Sequence, residues 1–248
     1  TIVARASFRT PAEREMCTLE KRGKIFILTL TGAGEHRLNP VLLDAVQSAL
    51  RHVRDESISS PSSVLITTAQ GKFFCNGYDL DWAGSSPSRS ELMNSKLQSL
   101  VADLISLPMP TIAAVSGHAS AAGFILAQSH DYVLMRKDRG FLYMSELDIN
   151  LVIPAWFMAL IECKIGSPMT RRHLVLTAAK VTAKEAVEKG IIDSAHDSAE
   201  ETVKAALRLG EELGGREWDG HVYAQIRMKM LAGVLDEIAA RRSTRSRM

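Results

Sequence analysis

The sequence is organised around residues 109–128, MPTIAAVSGHASAAGFILAQ. The β-branched and apolar run at 111–115 predicts a buried strand. A polar break at 116–118 is followed by small residues at 119–123 and by the helix-like run 124–127. A strand that feeds a helix through a turn of small residues brings backbone N–H groups together at the positive end of the helix dipole. Such a point binds an anion or stabilises an oxyanion; tight helix–strand packing is the alternative interpretation.

Composition excludes several classes of protein. The 248 residues are 46% hydrophobic and 23% charged, with a formal net charge of +2, which is ordinary for a soluble globular protein and gives no reason to expect nucleic acid. No apolar run reaches the ~18 residues that a membrane span needs. Cys17, Cys75 and Cys163 are scattered, so neither a disulfide framework nor a zinc site is expected. The histidines lack H-x-x-x-H spacing, which argues against a metal.

The order of predicted elements indicates an α/β fold. Asn39 and Pro40 form a helix N-cap and first turn between two apolar strands, and the chain continues as alternating strands and helices before becoming all helical. Arg37 stands where a G-x-G-x-x-G motif needs its third glycine, so no dinucleotide site is predicted. The predicted strands are 24–31, 64–68, 111–115, 130–136, 140–143 and 191–193. The predicted helices are 40–53, 91–107, 124–127, 154–165, 169–178, 183–189, 200–213 and 221–240, with a loop at 83–90.

Two further blocks accompany the central stretch: GKFFCNGYDL at 71–80 and YMSELDINLVIPAWF at 143–157. With residues 109–128 they resemble the enoyl-CoA hydratase/isomerase (crotonase) superfamily, whose two loops read F-x-A-G-x-D-[LI] and N-G-x-A-x-G-G-G. The third block is similar to the E-x-x-L-G-[IV]-x-x-P-x-W block of the monofunctional Δ3,Δ2-enoyl-CoA isomerases of the plant peroxisomal type. The resemblance covers about residues 17–240.

The resemblance implies a crotonase-like (ClpP/crotonase) spiral of β-β-α turns with a C-terminal helical extension. Residues 16–199 would form the spiral core and residues 200–240 a helical region used in trimer contacts, giving a homotrimer or a hexamer. Residues 1–15 are interpreted as an N-terminal extension, left by a targeting segment or an expression vector. Residues 241–248 form a basic tail.

The resemblance also implies the ligand and its contacts. An acyl-CoA thioester would be the substrate, with coenzyme A as part of it, so that no separate cofactor and no metal is needed. The oxyanion hole would consist of the backbone N–H groups of Tyr78 and Ala122. The predicted substrate-binding residues are Phe74, Cys75, Asn76, Gly77, Tyr78, Asp79, Ala122 and Gly123.

The number of carboxylates distinguishes the reactions of the family. Its hydratases use two glutamates, and the matched positions in this chain are Ile125 and Glu146. One carboxylate beside one oxyanion hole can move a proton from C2 to C4 of a 3-enoyl thioester but has no partner for adding water. Glu146 is therefore predicted to be the acid/base of an isomerase, with its pKa raised by apolar neighbours. Hydration and non-catalytic CoA binding are the alternative functions. For Glu146 itself, the alternative is a structural acid on the exposed side of a short helix, paired with Arg139.

Other candidate sites are weaker. Cys75 has no His or Asn partner placed by a motif, and Asp148 is expected to point away from Glu146. Ser116, His118, His130 and Asp131 offer the groups of a triad, but no G-x-S-x-G elbow is present. Four basic residues could meet the CoA phosphates, although a solvated helical face is the simpler explanation: Arg171, Arg172, Lys180 and Lys184.

The last three residues, Ser246, Arg247 and Met248, are similar to the S-K-L peroxisomal signal. An import receptor would read this tripeptide, and peroxisomal localisation is predicted. A frayed basic tail and a cytoplasmic enzyme are the alternatives.

Overall fold

The computed structural model describes residues 16–32 and 34–245, with side chains through residue 240. The predictions for residues 1–15 and 246–248 lie outside these ranges. Within them, no helix is both long and apolar enough to cross a bilayer. The strands are β1 (Cys17–Arg22), β2 (Ile25–Leu30), β3 (Val64–Ala69), β4 (Phe73–Cys75), β5 (Thr111–Val115), β6 (His118–Ser120), β7 (Tyr132–Arg136), β8 (Leu142–Tyr143) and β9 (Ser194–His196).

Ten helices follow in the described chain. They are α1 (Pro40–Ser57), α2 (Leu80–Ala83), α3 (Pro87–Ile105), α4 (Ala122–Gln128), α5 (Ala155–Lys164), α6 (Pro168–Leu176), α7 (Ala183–Glu188), α8 (Ala199–Gly215), α9 (Gly220–Met230) and α10 (Ala232–Arg245), with a 3-10 turn at Leu147–Ile149.

The strands form two sheets. A six-stranded sheet has the order β1-β2-β3-β5-β7-β9, and a three-stranded sheet has the order β4-β6-β8. All neighbours are parallel except β1 and β2. Each short strand of the small sheet follows a long strand of the large sheet and precedes a helix, as in β5-β6-α4. The predicted α/β spiral of β-β-α turns is therefore confirmed.

The large sheet is buried on both faces, as parallel sheets usually are. Every residue of β3 and β5 is buried, which explains why these strands read as continuous apolar runs. Helix α8 covers one face and contacts β2, β3, β5, β7 and β9. Its Ala205, Ala206 and Leu213 join the apolar cluster of this face, so α8 belongs to the layers of the core.

The helix starts follow the caps in the sequence. The side chain of Asn39 accepts a hydrogen bond from the Leu42 N–H at 3.1 Å, with Pro40 as the first helical residue of α1. This start matches the prediction. Asp79 caps α2 by accepting from the Trp82 N–H at 3.0 Å, an interaction typical of Asx turns. Gly190, with φ +66°, ends α7.

Three predicted boundaries were wrong. The strand predicted at 191–193 is instead a turn, because the N–H groups of Ile191 and Ile192 donate to the Ala186 carbonyl at the end of α7; β9 begins three residues later. The helix predicted at 221–240 is two helices that meet at Leu231. The loop predicted at 83–90 is shorter, since α3 begins at Pro87.

Three strands were missed. Strand β1 pairs antiparallel with β2 through a turn at Gly23, whose φ is +59°. Only Cys17 and Leu19 of β1 are fully buried, and its charged second half hides the strand pattern. Strands β4 and β6 have three residues each and were read as parts of the turns after β3 and β5, because so short an element carries no periodicity of its own.

Candidate active site

The two loops predicted to form the site are in direct contact. A Cβ added to Gly77, whose φ is +77°, would lie 3.1 Å from the Ala121 Cβ and 3.2 Å from the Ser120 carbonyl oxygen. A Cβ added to Gly123 would lie 2.1 Å from the Cys75 carbonyl oxygen. Only glycine fits at these two positions. The end of β4 and the beginning of α4 therefore pack backbone against backbone.

The backbone on both sides of Tyr78 is fixed by Leu38. The Leu38 N–H donates to the Gly77 carbonyl at 2.7 Å, and the Asp79 N–H donates to the Leu38 carbonyl at 3.2 Å. In a parallel bridge of this kind, Leu38↔Tyr78, the central residue directs its own N–H away from its partner strand. The Tyr78 N–H therefore points to the side opposite Leu38.

The start of α4 has an unusual backbone. Ala121 has φ +49° and ψ −125°, a region that L-residues rarely occupy. Its N–H donates to the Tyr143 carbonyl at 2.9 Å and its carbonyl accepts from the Ile125 N–H at 3.1 Å. These two bonds hold the residue in place. Ala122 is then the first helical residue of α4, a position whose N–H has no acceptor within its own helix.

Glu146 follows β8 and precedes the 3-10 turn. The residue is only 5% exposed, and its Oε2 is buried without a hydrogen-bond partner among the described residues. Burial raises the pKa of this carboxyl above its ordinary value, because the charged form loses hydration. Its carbonyl accepts from the N–H groups of Ile149 and Leu151, at 3.3 and 2.9 Å, which fixes the backbone behind the side chain. The exposed, Arg139-paired alternative for Glu146 is not what the structure shows.

Glu146 lies in the wall of a cleft of about 860 Å³. The ends of the small-sheet strands and the loop after β2 supply a polar part of the wall, and α2, α3 and the segment after Glu146 supply an apolar part. The polar lining includes Arg37, Asn76, Ser120, Tyr143 and Ser145. The apolar lining includes Leu80, Ala83, Pro87, Met93, Ile149, Leu151, Val152, Pro154 and Phe157.

The structure brings together only part of the predicted site residues. Asn76, Tyr78 and Glu146 line the cleft, and Ala121 lines it in place of its predicted neighbour Ala122. The other predicted side chains lie behind the wall: Phe74 and Cys75 in the core, Gly77 and Gly123 at the loop contact, and Asp79 as the α2 cap. Backbone contacts to a substrate remain a prediction for all of these.

Cys75 is placed as a structural residue. It is fully buried, its thiol donates to the His36 carbonyl at 3.1 Å, and burial raises its pKa to about 12. A thiol in this state carries negligible thiolate.

The groups of the suggested triad do not meet. Ser116 donates to the Ala69 carbonyl, and the imidazole of His130 bonds the Leu126 carbonyl and the Thr67 hydroxyl. His118 lies between Phe73 and Phe141. In the described ranges, no group of three or more His, Cys, Asp or Glu side chains could hold a metal ion.

Several polar residues of the cleft were not among the predicted site residues, and two of them lie on α3. Asn94 is buried and accepts a hydrogen bond from the Trp156 indole at 3.1 Å, with the Tyr78 hydroxyl at 3.4 Å. Glu91 lines the cleft as a second acidic residue. Asn94 carries a signal in the sequence, since it and Gln98 are polar residues on the apolar face of a predicted helix, one turn apart.

Comparison with known proteins agrees with this architecture. The family model described as enoyl-CoA hydratase/isomerase matches residues 23–248. Enoyl-CoA delta isomerase 1, peroxisomal, of Arabidopsis thaliana is 66% identical over 220 residues, covering 89% of this chain and 91% of the relative. Enoyl-CoA delta isomerase 2, peroxisomal, of the same plant is 52% identical over 230 residues, covering 89% and 95%.

Solved structures show the same fold at low identity. A probable enoyl-CoA hydratase from Mycobacterium tuberculosis H37Rv superposes with a TM-score of 0.82 at 21% identity, covering 91% of this chain and 92% of that one. An enoyl-CoA hydratase/isomerase family protein from Pseudomonas syringae gives a TM-score of 0.84 at 22% identity, covering 92% and 95%. With the family match over most of its length, this chain belongs to the enoyl-CoA hydratase/isomerase family.

Proposed function

We propose that this chain is a Δ3,Δ2-enoyl-CoA isomerase, which converts cis- or trans-3-enoyl-CoA to trans-2-enoyl-CoA in the oxidation of unsaturated fatty acids. The observation that carries the proposal is Glu146, a buried acid with a raised pKa and an unbonded oxygen, in the wall of a cleft that has a polar part and a larger apolar part. The two Arabidopsis relatives named enoyl-CoA delta isomerase support the same activity.

The proposed reaction is one proton transfer out and one back. The Glu146 carboxylate takes a proton from C2 of the 3-enoyl thioester, and the electron pair moves to the thioester oxygen. The N–H groups of Tyr78 and Ala122 hold the resulting dienolate; one such donor is typically worth ~3–4 kcal/mol. The neutral Glu146 then returns the proton at C4. The double bond now joins C2 and C3, and Glu146 is a carboxylate again.

The lining of the cleft matches the two parts of the substrate. Polar groups at the ends of the small-sheet strands suit the amide-rich arm of coenzyme A, whereas the apolar part suits a hydrocarbon chain. No separate cofactor is proposed, because the proton shuttle needs only the carboxylate and the two donors.

Hydration is the second candidate because Glu91 lines the same cleft. Besides the glutamate matched by Glu146, the hydratases carry another one, and Glu91 does not occupy its position. In this chain that position is Ile125, a fully buried core residue. Glu91 lies at the beginning of α3 and is only half-buried. We therefore assign it no proton transfer.

A side-by-side assay of purified protein tests the function. We expect rapid isomerisation of 3-hexenoyl-CoA and, in comparison, negligible water addition to trans-2-hexenoyl-CoA. Glu91→Gln should leave isomerisation within about threefold of wild type, since general acid/base groups contribute ~10²–10⁴ when they act. Efficient hydration by the wild type that is lost in Glu91→Gln would establish the hydratase. Binding of hexanoyl-CoA with neither activity would indicate a non-catalytic protein.

The proposed location is the peroxisome. The proposed import signal is the tripeptide Ser246, Arg247 and Met248, which an import receptor recognises. Two relatives with this location in their names support it. A fluorescent protein that carries the last ten residues should co-localise with peroxisomes, and the same fusion without the final tripeptide should not. Cytosolic signal from the complete fusion would contradict the proposal.

The proposed assembly is a homotrimer or hexamer. Val222, Ile226 and Met230 recur at helical spacing on α9 and are all more than half exposed, which suits a contact between copies. Sedimentation at micromolar concentration should give a trimer or a multiple of it, and a monomer would contradict the assembly.

A further inference from the structure

The segment that follows Glu146 exposes large apolar side chains to an unusual degree. Ile149 is 45% exposed, Leu151 49% and Val152 93%. All three line the cleft that contains Glu146, and we call them the apolar rim. Exposed apolar groups concentrated beside a cleft mark a binding surface rather than ordinary surface variation.

The position of the apolar rim is built into the fold. Asn150, with φ +55°, reverses the chain after the 3-10 turn, and the Leu151 N–H bonds the Glu146 carbonyl at 2.9 Å. Pro154 then starts α5. Because backbone bonds attach the segment to Glu146 itself, the apolar side chains have a defined place next to the acid.

Across the cleft, further apolar residues complete this part of the wall. Leu80 of α2 is 42% exposed, while Met93 of α3 and Phe157 of α5 are buried. The buried members line the depth of the cleft, and the exposed members lie at its mouth. The cleft therefore offers a hydrocarbon chain both buried and exposed apolar side chains.

We propose that the apolar rim binds the distal carbons of a long acyl chain, so that the preferred substrates are long-chain rather than short-chain 3-enoyl-CoA esters. The inference rests on the proposed function, in which Glu146 works between C2 and C4 and the remaining acyl carbons begin at its carboxylate. In this arrangement the acyl carbons nearest Glu146 contact Met93 and Phe157 but not the apolar rim. Additional methylenes reach Leu151 and Val152 and remove their surface from water.

The expected gain grows with chain length. A fully buried methylene favours binding about fourfold, the ratio that corresponds to ~0.8 kcal/mol. The mouth is open, so the outer methylenes bury only part of their surface. Over the six carbons that separate a hexanoyl from a dodecanoyl chain, we expect at least a tenfold gain in affinity.

The test compares two chain lengths in two double variants. Leu151→Asn/Val152→Ser changes the apolar rim without touching the backbone bonds. Val41→Asn/Ile58→Ser is the matched control, because these residues of the α1 region are 40% and 85% exposed and line no part of the cleft. For each protein, kcat and KM are measured with 3-hexenoyl-CoA and 3-dodecenoyl-CoA, and Kd by calorimetry with hexanoyl-CoA and dodecanoyl-CoA.

We expect the rim variant to raise KM and Kd for the twelve-carbon esters about tenfold more than for the six-carbon esters. The control variant should resemble wild type at both chain lengths. Equal changes for both lengths, or none, would overturn the inference. Equal changes together with a smaller species in sedimentation would assign the apolar rim to a contact between copies.

The calorimetric values separate this inference from the proposed function. If the wild type isomerises neither ester but binds dodecanoyl-CoA at least tenfold more tightly than hexanoyl-CoA, and the rim variant loses that difference, the proposed function fails and the apolar rim stands.

Discussion

Glu146 and Asp131 are both acids of low exposure, but their surroundings are opposite. The Oδ2 of Asp131 accepts hydrogen bonds from the Thr111 N–H at 2.9 Å, the Tyr223 hydroxyl at 3.2 Å and the Arg227 guanidinium at 2.7 Å. The Oε2 of Glu146 has no partner among the described residues. One acid joins parts of the fold, and the other is left available to a ligand.

The two acids differ in what they contribute: Asp131 stabilises the fold, whereas Glu146 is proposed to act in the reaction. Arg227 also donates to the carbonyls of Ile105, Leu107 and Met109, so the Asp131 pair attaches α9 to the segment before β5. An unpaired buried acid contributes no such link and costs desolvation free energy. Buried acids whose desolvation is not compensated are found mainly at the functional sites of proteins.

The largest effect should follow from Glu146→Gln. Glutamine keeps the size and polarity of the side chain but cannot accept the proton from C2. We expect kcat to fall by ~10²–10⁴, with little change in the Kd of a saturated acyl-CoA, because binding comes from the cleft walls. Steady-state kinetics and calorimetry measure the two quantities.

Asp148→Asn is the control for that variant, because Asp148 is an exposed acid two residues away in the 3-10 turn. Its kcat should equal that of the wild type. Near-normal turnover by Glu146→Gln would place the base elsewhere.

Loss of the ion pair between Asp131 and Arg227 should lower the stability of the fold. Arg227→Met keeps the apolar stem but leaves Asp131 without its cation, and removal of one partner of a buried pair costs ~3–5 kcal/mol. Denaturant unfolding should show this loss, while kcat at low temperature stays near that of the wild type. Lys204→Met, which breaks an exposed pair with Glu200 and Glu201, should leave the midpoint of denaturant unfolding close to that of the wild type, because solvent screens exposed ion pairs. Equal effects of the two variants would contradict the comparison.

The pH dependence should also distinguish Glu146. Its folded-state pKa is raised by burial, so the folded protein binds this proton more tightly than the unfolded chain does. The contribution of Glu146 to stability is therefore fully present below the unfolded pKa and is lost as pH rises through the folded pKa. At neutral pH, Glu146→Gln should therefore be more stable than the wild type, because burial costs a neutral amide less hydration free energy than it costs a carboxylate.

Isomerase activity should have the opposite pH dependence. The base must be ionised, so kcat/KM should fall as pH decreases through the raised pKa of Glu146. Thermal unfolding of wild type and Glu146→Gln from acid to neutral pH, with rates over the same range, tests both slopes. Parallel curves of stability against pH for the two proteins would show that folding does not raise the pKa of Glu146.

The smallest effect concerns Ala121. Its φ of +49° with ψ −125° is a conformation that costs a residue with a Cβ ~1–3 kcal/mol. Glycine removes that strain at an entropic cost of ~0.5–1 kcal/mol, so Ala121→Gly should raise the free energy of unfolding by about 1 kcal/mol. Ala122→Gly, one residue further on in α4, should lower it. A loss of stability in both variants would show that Ala121 is not strained.

The three blocks of the sequence were sufficient to predict the spiral, the loop contact and the apolar surroundings of Glu146, whose role as the base stays a prediction. Long apolar strands such as β3 and β5 and capped helices such as α1 carry signals of their own. The missed strands lack such signals: β1 is a half-charged edge strand, and β4 and β6 have three residues each. Glu91 was missed because a lone acid at the start of a helix resembles any solvated residue, and only the tertiary fold brings it to the cleft.

Deuterium labelling gives the most direct test of Glu146 as the single proton carrier. If Glu146 alone carries the proton, a 3-enoyl-CoA ester with deuterium at C2 should yield 2-enoyl-CoA with part of that deuterium at C4, measured by mass spectrometry or NMR. Transfer of deuterium from C2 to C4 is expected in the wild type and in Glu91→Gln alike. Product without deuterium at C4 in the wild type, at rates where solvent exchange is slower than turnover, would contradict a single shuttle.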